Sequence, residues 1–81
     1  MRSATVDGKR CRELREARGL TQEQLAAQIS TIYRRGTRPS TLAHIELGTR
    51  QPSAGLFDAL CTTLGVARES LLCDRHEDQV A

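Results

Sequence analysis

Aromatic residues are almost missing from this chain: of 81 residues, one is Tyr, one is Phe and none is Trp. β-Sandwiches and barrels draw heavily on aromatic side chains, and platforms for single-stranded nucleic acid stack bases on aromatic rings, so the composition argues against both. No run approaches the ~18 consecutive apolar residues of a membrane span. No apolar core follows the N-terminal charges as it does in a secretory leader. A soluble, cytoplasmic protein with no membrane partner is expected. Cysteine is sparse too. Cys11, Cys61 and Cys73 are odd in number and have no CxxC spacing, which argues against a disulfide framework. Cys11 and Cys61 fall at apolar positions, where cysteine packs as a small hydrophobe. Cys73 and His76 lack a second pair at zinc spacing, so no metal site is expected. Neither a Gly-rich phosphate loop nor a nucleophile–base arrangement is present, and no enzyme activity or cofactor is indicated.

The charge balance is more informative than its total. The formal net charge is +2, but residues 1–50 carry +5 and residues 51–81 carry −3. A basic front half and an acidic back half suggest a polyanion bound on one side only. Eleven of the twelve cations are Arg, the side chain that forks onto phosphates and guanine edges. The length bounds the architecture to one small domain, burying only about 60% of its unfolded surface.

Helix punctuation is explicit. Asp7 is an N-cap candidate, with Val6 able to staple onto Cys11, and Cys11, Leu14 and Ala17/Arg18 recur at helical spacing before Gly19. Thr21 and Gln24 make a capping box, with Leu20 stapling onto Leu25, and Leu25, Ala26 and Ile29 form the inner stripe. Residues 30–38 admit two readings. Ile32 and Tyr33 continue the stripe, so the second helix runs to Arg35 and stops at Gly36; alternatively it ends near Ser30 and a basic loop follows. Pro39 opens a third helix carrying Leu42 and Ile45 to Gly48, and Ser53 caps a fourth bearing Leu56/Phe57, Leu60, Cys61 and Leu64 to Gly65. A short fifth, about Ala67–Cys73, adds Leu71 and Leu72 beside Val66. The expected organisation is an N-terminal arm at residues 1–6, an all-α five-helix domain at 7–73 and a flexible acidic tail at 74–81.

Three segments carry a resemblance. Arg12-x-Leu14-Arg15-x-x-Arg18-Gly19-Leu20-Thr21-Gln22-x-x-Leu25-Ala26 resembles the opening of the Cro/repressor-type helix-turn-helix (XRE) family. Ser40-Thr41-Leu42-x-x-Ile45-Glu46-x-Gly48-x-x-x-Pro52-Ser53 looks like the family's recognition helix and the turn after it. Phe57-x-x-Leu60-x-x-x-Leu64-Gly65-Val66, followed by Leu71-Leu72, resembles its closing helices. Between Ala26 and Leu42 the chain is several residues longer than the family's usual spacing, and Ser30 stands where a glycine is usual. The turn of the helix-turn-helix is therefore enlarged.

The resemblance implies a compact repressor-like domain that binds double-stranded DNA as a sequence-specific regulator, most simply a repressor, with its third helix in the major groove. On that alignment the base-reading candidates are Arg38, Pro39, Ser40, Ala43 and His44, with Pro39 in place of a long polar reader shifting weight toward DNA shape. Thr21, Gln22, Arg34, Arg35, Thr41 and Arg50 are the phosphate candidates. Arg15 and Glu46 are expected to pair as a brace between the first and third helices. The partners implied are duplex DNA and a second copy of the chain, the homodimer using Leu71, Leu72 and Val80. An antitoxin or other protein-interaction module on the same fold, with a protein partner, is the alternative.

Overall fold

The computed structural model describes the backbone of residues 3–75 and the side chains of residues 5–72. In chain order the elements are β1 (Ser3–Val6), α1 (Gly8–Ala17), α2 (Gln22–Ile32), α3 (Pro39–Leu47), α4 (Ala54–Leu64), α5 (Arg68–Leu71) and β2 (Leu72–Arg75). Caps form where local chemistry dictates. The Asp7 carboxylate accepts from the Arg10 amide at 3.2 Å. Thr21 and Gln24 complete both halves of their capping box, at 2.9 and 3.0 Å, and Ser53 accepts from the Leu56 amide. Each cap satisfies amide donors that the first helical turn leaves without partners.

Five helices pack around one core. α3 lies against α1 and α2, α4 lies against α2, and α5 closes against α1 and α4. Leu25, Ile29, Leu42, Ile45, Leu60, Leu64, Leu71 and Cys11 are the largest fully buried side chains. Val6 and Ala59 join the core, and Leu14, Leu20, Tyr33 and Val66 pack on its margin. Ala17 and Arg18, placed on the inner stripe by spacing, are exposed. Their neighbour Arg15 is buried instead.

Two features depart from the sequence expectation. The fifth helix is a single turn, Arg68–Leu71, and Leu72–Cys73 leave it as a strand. That strand pairs antiparallel with β1 in the register Val6↔Leu72 to Ser3↔Arg75, and the Asp7 amide continues the ladder to the Leu71 carbonyl at 2.7 Å. Residues 3–6, expected as an arm, and residues 72–75 thus form a two-stranded ribbon on the helical domain. A side-chain bond secures it: Gln51 Oε1, in the α3–α4 turn, accepts from the Val6 amide at 2.8 Å. Leu71 is fully buried and Leu72 is 37% exposed, so Leu71 is spent on the core and is not free for an interface. Val80, His76 and the rest of the expected tail beyond Arg75 lie outside the described residues. Among the described residues no helix is long and apolar enough to cross a membrane.

The α1–α3 contact rests on Gly8. A Cβ there would run into the carbonyl oxygens of Ile45 and Glu46 in the last turn of α3. Gly8→Ala gains helix propensity but must push two backbones apart. We expect a net loss of about 1–3 kcal/mol of stability, as for overpacked cores, read from urea denaturation. An unchanged midpoint would show that α1 and α3 separate freely.

Candidate nucleic-acid interface

The brace between α1 and α3 is built by Arg15. Its Nε donates to Glu46 Oε2 at 2.7 Å, its Nη2 to Glu46 Oε1 at 3.1 Å, and its Nη1 to the Leu20 carbonyl at 2.7 Å. The two side chains are only 10% and 5% exposed. A forked guanidinium meets a carboxylate in two parallel bonds, the strongest geometry available to this pair. The hydrogen bonds it donates to Glu46 hold the Arg15 pKa above its ordinary value, against the desolvation of burial. Gln22, at the start of α2, donates from Nε2 to Glu46 Oε1 at 3.2 Å. Its side chain joins the brace while still lining the cleft at the start of α2, where the resemblance places a phosphate. One residue thus ties three helices at the corner from which α3 projects.

Beside this corner lies an open cleft of about 470 Å³, lined by Arg12, Thr21, Gln22, Ala43, Glu46 and Leu47 among others. The N-terminus of α2 opens there, and its first-turn amides carry the positive end of the helix dipole. Arg12 reaches Glu16 at 3.1 Å, both more than half exposed; such a pair contributes about 0–1 kcal/mol and releases readily.

With Leu42 and Ile45 buried, the period of 3.6 residues turns Ser40, Ala43, His44 and Leu47 outward. Ser40 and His44 are exposed, while Pro39 and Ala43 are half-buried. Leu47 is 74% exposed and completes the stripe one heptad beyond Ser40. Sequence reasoning passed over Leu47, although its spacing from Ser40 and Ala43 carries the signal. The His44 ring is held in place: Nδ1 lies 3.1 Å from Thr49 Oγ1, whose hydroxyl donates to the His44 carbonyl at 3.2 Å. Arg38 is the N-cap of α3 and makes no side-chain capping bond.

The enlarged turn follows the second of its two expected courses, a basic loop after a helix that ends two residues beyond Ser30. α2 ends at Ile32, and Tyr33 leaves in extended conformation. The Gly36 amide then bonds the Tyr33 carbonyl at 2.8 Å, with Gly36 at φ +67°, a conformation glycine adopts without cost. Ser30, in the place of the family's glycine, donates to the Ala26 carbonyl at 2.9 Å and accepts from the Thr37 amide. Tyr33 swings away from the helical stripe onto α4, its hydroxyl 3.1 Å from Ser53 Oγ and its ring against Gly55. Ile32 is left 53% exposed.

This anchored turn faces the Gln51–Ser53 turn across a second cleft of about 700 Å³. Arg35, Arg38, Thr41 and Arg50 line it and Arg34 does not. No acidic residue lines it, and Thr37 Oγ1, also on its wall, is buried without a hydrogen-bond partner.

Cys11 and Cys61 line neither cleft. Burial pushes the Cys11 thiol up to about 12, with the Glu46 carboxylate adding to the effect, and burial raises Cys61 as well. The thiolate is the reactive form, so native protein is expected to leave Cys11 unmodified by iodoacetamide at pH 8, while urea-unfolded protein is alkylated there. Labelling of Cys11 in the native state, seen by peptide mass mapping, would contradict its burial. Among the described residues no three His, Cys, Asp or Glu side chains gather as metal ligands.

Comparison with known proteins agrees with this geometry. The model of a helix-turn-helix domain family matches residues 8–72. The crystal structure of the restriction-modification controller protein C.AhdI from Aeromonas hydrophila superposes with a TM-score of 0.66 at 33% sequence identity, covering 78% of this chain and 86% of that one. No curated protein matches. With its family motif spanning α1 to α5 and its fold shared at one-third identity, the chain belongs to the Cro/repressor-type helix-turn-helix family of DNA-binding transcriptional regulators.

Proposed function

We propose that the protein is a sequence-specific transcriptional repressor, not an enzyme, that lays α3 in the major groove of duplex DNA. One observation carries this reading. α3 is fixed from behind by the Arg15–Glu46–Gln22 network and turns outward Ser40, Ala43, His44 and Leu47, none of them in the buried core. A major-groove helix needs that combination, because bases discriminate only against side chains held in a fixed register. Pro39, Ser40, Ala43 and His44 are the base-facing set, Thr21, Thr41 and Arg50 contact phosphates around it, and Arg38, exposed on the wall of the larger cleft, faces the backbone rather than the bases.

One such module reads few base pairs. A homodimer on two half-sites about 34–36 Å apart supplies the missing affinity. Leu72, exposed on β2, is the described residue available for that contact. C.AhdI is a restriction-modification controller by name, and control of a restriction-modification operon, including its own gene, is the role proposed for this chain.

The test is binding to the DNA upstream of its own gene, titrated by fluorescence anisotropy against scrambled competitor, with transcription from that promoter measured in vitro. Specific binding with falling transcription is the expected result. Binding no tighter than to scrambled DNA, or transcription that rises, would overturn the repressor reading.

A further inference from the structure

We propose that the enlarged turn builds a second phosphate clamp, in which Arg35, Arg38 and Arg50 converge on one backbone phosphate of the DNA strand opposite the one held at the α2 N-terminus. This rests on the DNA-binding reading above and assigns a ligand to the larger cleft.

Three observations converge. The cleft walls carry three arginines and no acid, and among the described residues none of the three pairs with a carboxylate. Uncompensated guanidiniums brought together repel one another unless an anion lies between them. Thr37 and Gly36 are positioned by Ser30 and by the turn bond to Tyr33, and Tyr33 is itself anchored to Ser53. The extra residues therefore form a braced wall. A slack insertion, which surface loops tolerate at little entropic cost, would need none of these bonds.

The location names the ligand. Around α3, Thr41 flanks the buried Leu42–Ile45 seam on one side, and Glu46 flanks it on the other. Thr41 lines the larger cleft, while Ala43, Glu46 and Leu47 line the smaller. The two clefts therefore bracket the outward stripe. A helix seated in a major groove has one sugar–phosphate backbone on each side, which makes the occupant of the larger cleft a DNA phosphodiester and not a free anion.

Salt dependence separates these cases. Anisotropy titrations between about 50 and 200 mM salt give the slope of log K against log [salt], about −0.9 per phosphate neutralised. Arg35→Ala, Arg38→Ala and Arg50→Ala are each expected to make that slope shallower by up to about 0.9 and to weaken specific and scrambled DNA alike. All three side chains are exposed, so folding is spared, and circular dichroism checks it. Arg34→Ala, next in sequence but off the cleft, is expected to leave the slope unchanged. Specific binding with unchanged slopes in the three variants overturns the clamp and leaves the DNA reading intact. Equal flattening in Arg34→Ala overturns it as well, since general positive charge would then suffice. Saturable binding of inorganic phosphate at the Thr37 amide by NMR, with the DNA slopes unchanged, would assign the cleft to a free anion and overturn the proposal. Absence of specific binding in the unmodified protein removes the DNA reading itself.

Discussion

Replacing Glu46 by alanine is expected to destabilise the fold by about 3–5 kcal/mol, the cost of stranding a buried charge without its partner. The Arg15 guanidinium would keep only the Leu20 carbonyl, and Gln22 would lose its acceptor. A domain of this size has a total stability of roughly 4–12 kcal/mol at ~0.05–0.15 kcal/mol per residue. Each kcal/mol moves the melting temperature by about 4–8 °C, so this one change consumes much of the margin. Glu46→Gln keeps the shape and one acceptor oxygen and should fall between wild type and alanine. Arg12→Ala breaks the exposed pair with Glu16 and should cost less than about 1 kcal/mol. Urea denaturation of the three variants, with an Arg15/Glu46 double-mutant cycle, checks the ordering. A loss below about 1 kcal/mol for Glu46→Ala would show that the pair behaves as a surface contact. DNA affinity is expected to fall with stability, because the same network fixes the angle at which α3 leaves the core.

What was legible in the sequence follows the range of the interactions involved. Asp7, the Thr21–Gln24 box and Ser53 announce helix starts because a cap is made within three residues, and all of them form. The stripe of Leu25, Ala26, Ile29, Leu42, Ile45, Leu60 and Leu64 is periodic and buried. The burial of Arg15 was not legible from periodicity. A charged residue next to Leu14 reads as surface, and only the family resemblance supplied Glu46 as its partner. The ribbon was hidden for a different reason. Ser3–Val6 and Leu72–Arg75 pair across almost the whole chain, and four-residue strands carry too little pattern to announce a partner so far away. Leu72 was expected within a fifth helix of about Ala67–Cys73, yet pairing with Val6 draws it into extended backbone. Tyr33 was open to two readings for the same reason. Its spacing from Ile29 continues the stripe of α2, but its ring and hydroxyl are drawn to Gly55 and Ser53 twenty residues on. The bond from Gln22 to Glu46, on another helix, was likewise not announced by its place at a helix start. In each case a distant partner added what local preference could not show.

The same rule bears on base recognition, where His44→Ala with Ser40→Ala is expected to reduce affinity for the specific site by about 10–100-fold per lost contact, or ~1–3 kcal/mol each. The two residues are exposed on the outward stripe, so the fold should be unaffected. His44 carries an orientation that the sequence did not announce. The Thr49 hydroxyl lies 3.1 Å from Nδ1 and 3.2 Å from the His44 carbonyl oxygen, so Nδ1 is engaged with the protein and Nε2 is the ring nitrogen left for a base edge. With the proton on Nε2 the ring meets an acceptor such as guanine N7 or O6, and with the proton on Nδ1 it meets the amino group of cytosine or adenine. The expected preference at the base pair facing His44 is therefore set by a ring held in one position. Thr49→Val should blur that preference without removing binding, because the ring is then free to turn. Competition against operators substituted one base pair at a time checks both effects. The His44 and Ser40 variants should relax specificity at one or two positions while the salt slope stays at its wild-type value, whereas phosphate contacts change the slope and leave the pattern of preference alone. A shallower slope in His44→Ala would move His44 from the bases to the backbone, and sequence reading would then rest on Ser40, Ala43 and the shape of the DNA.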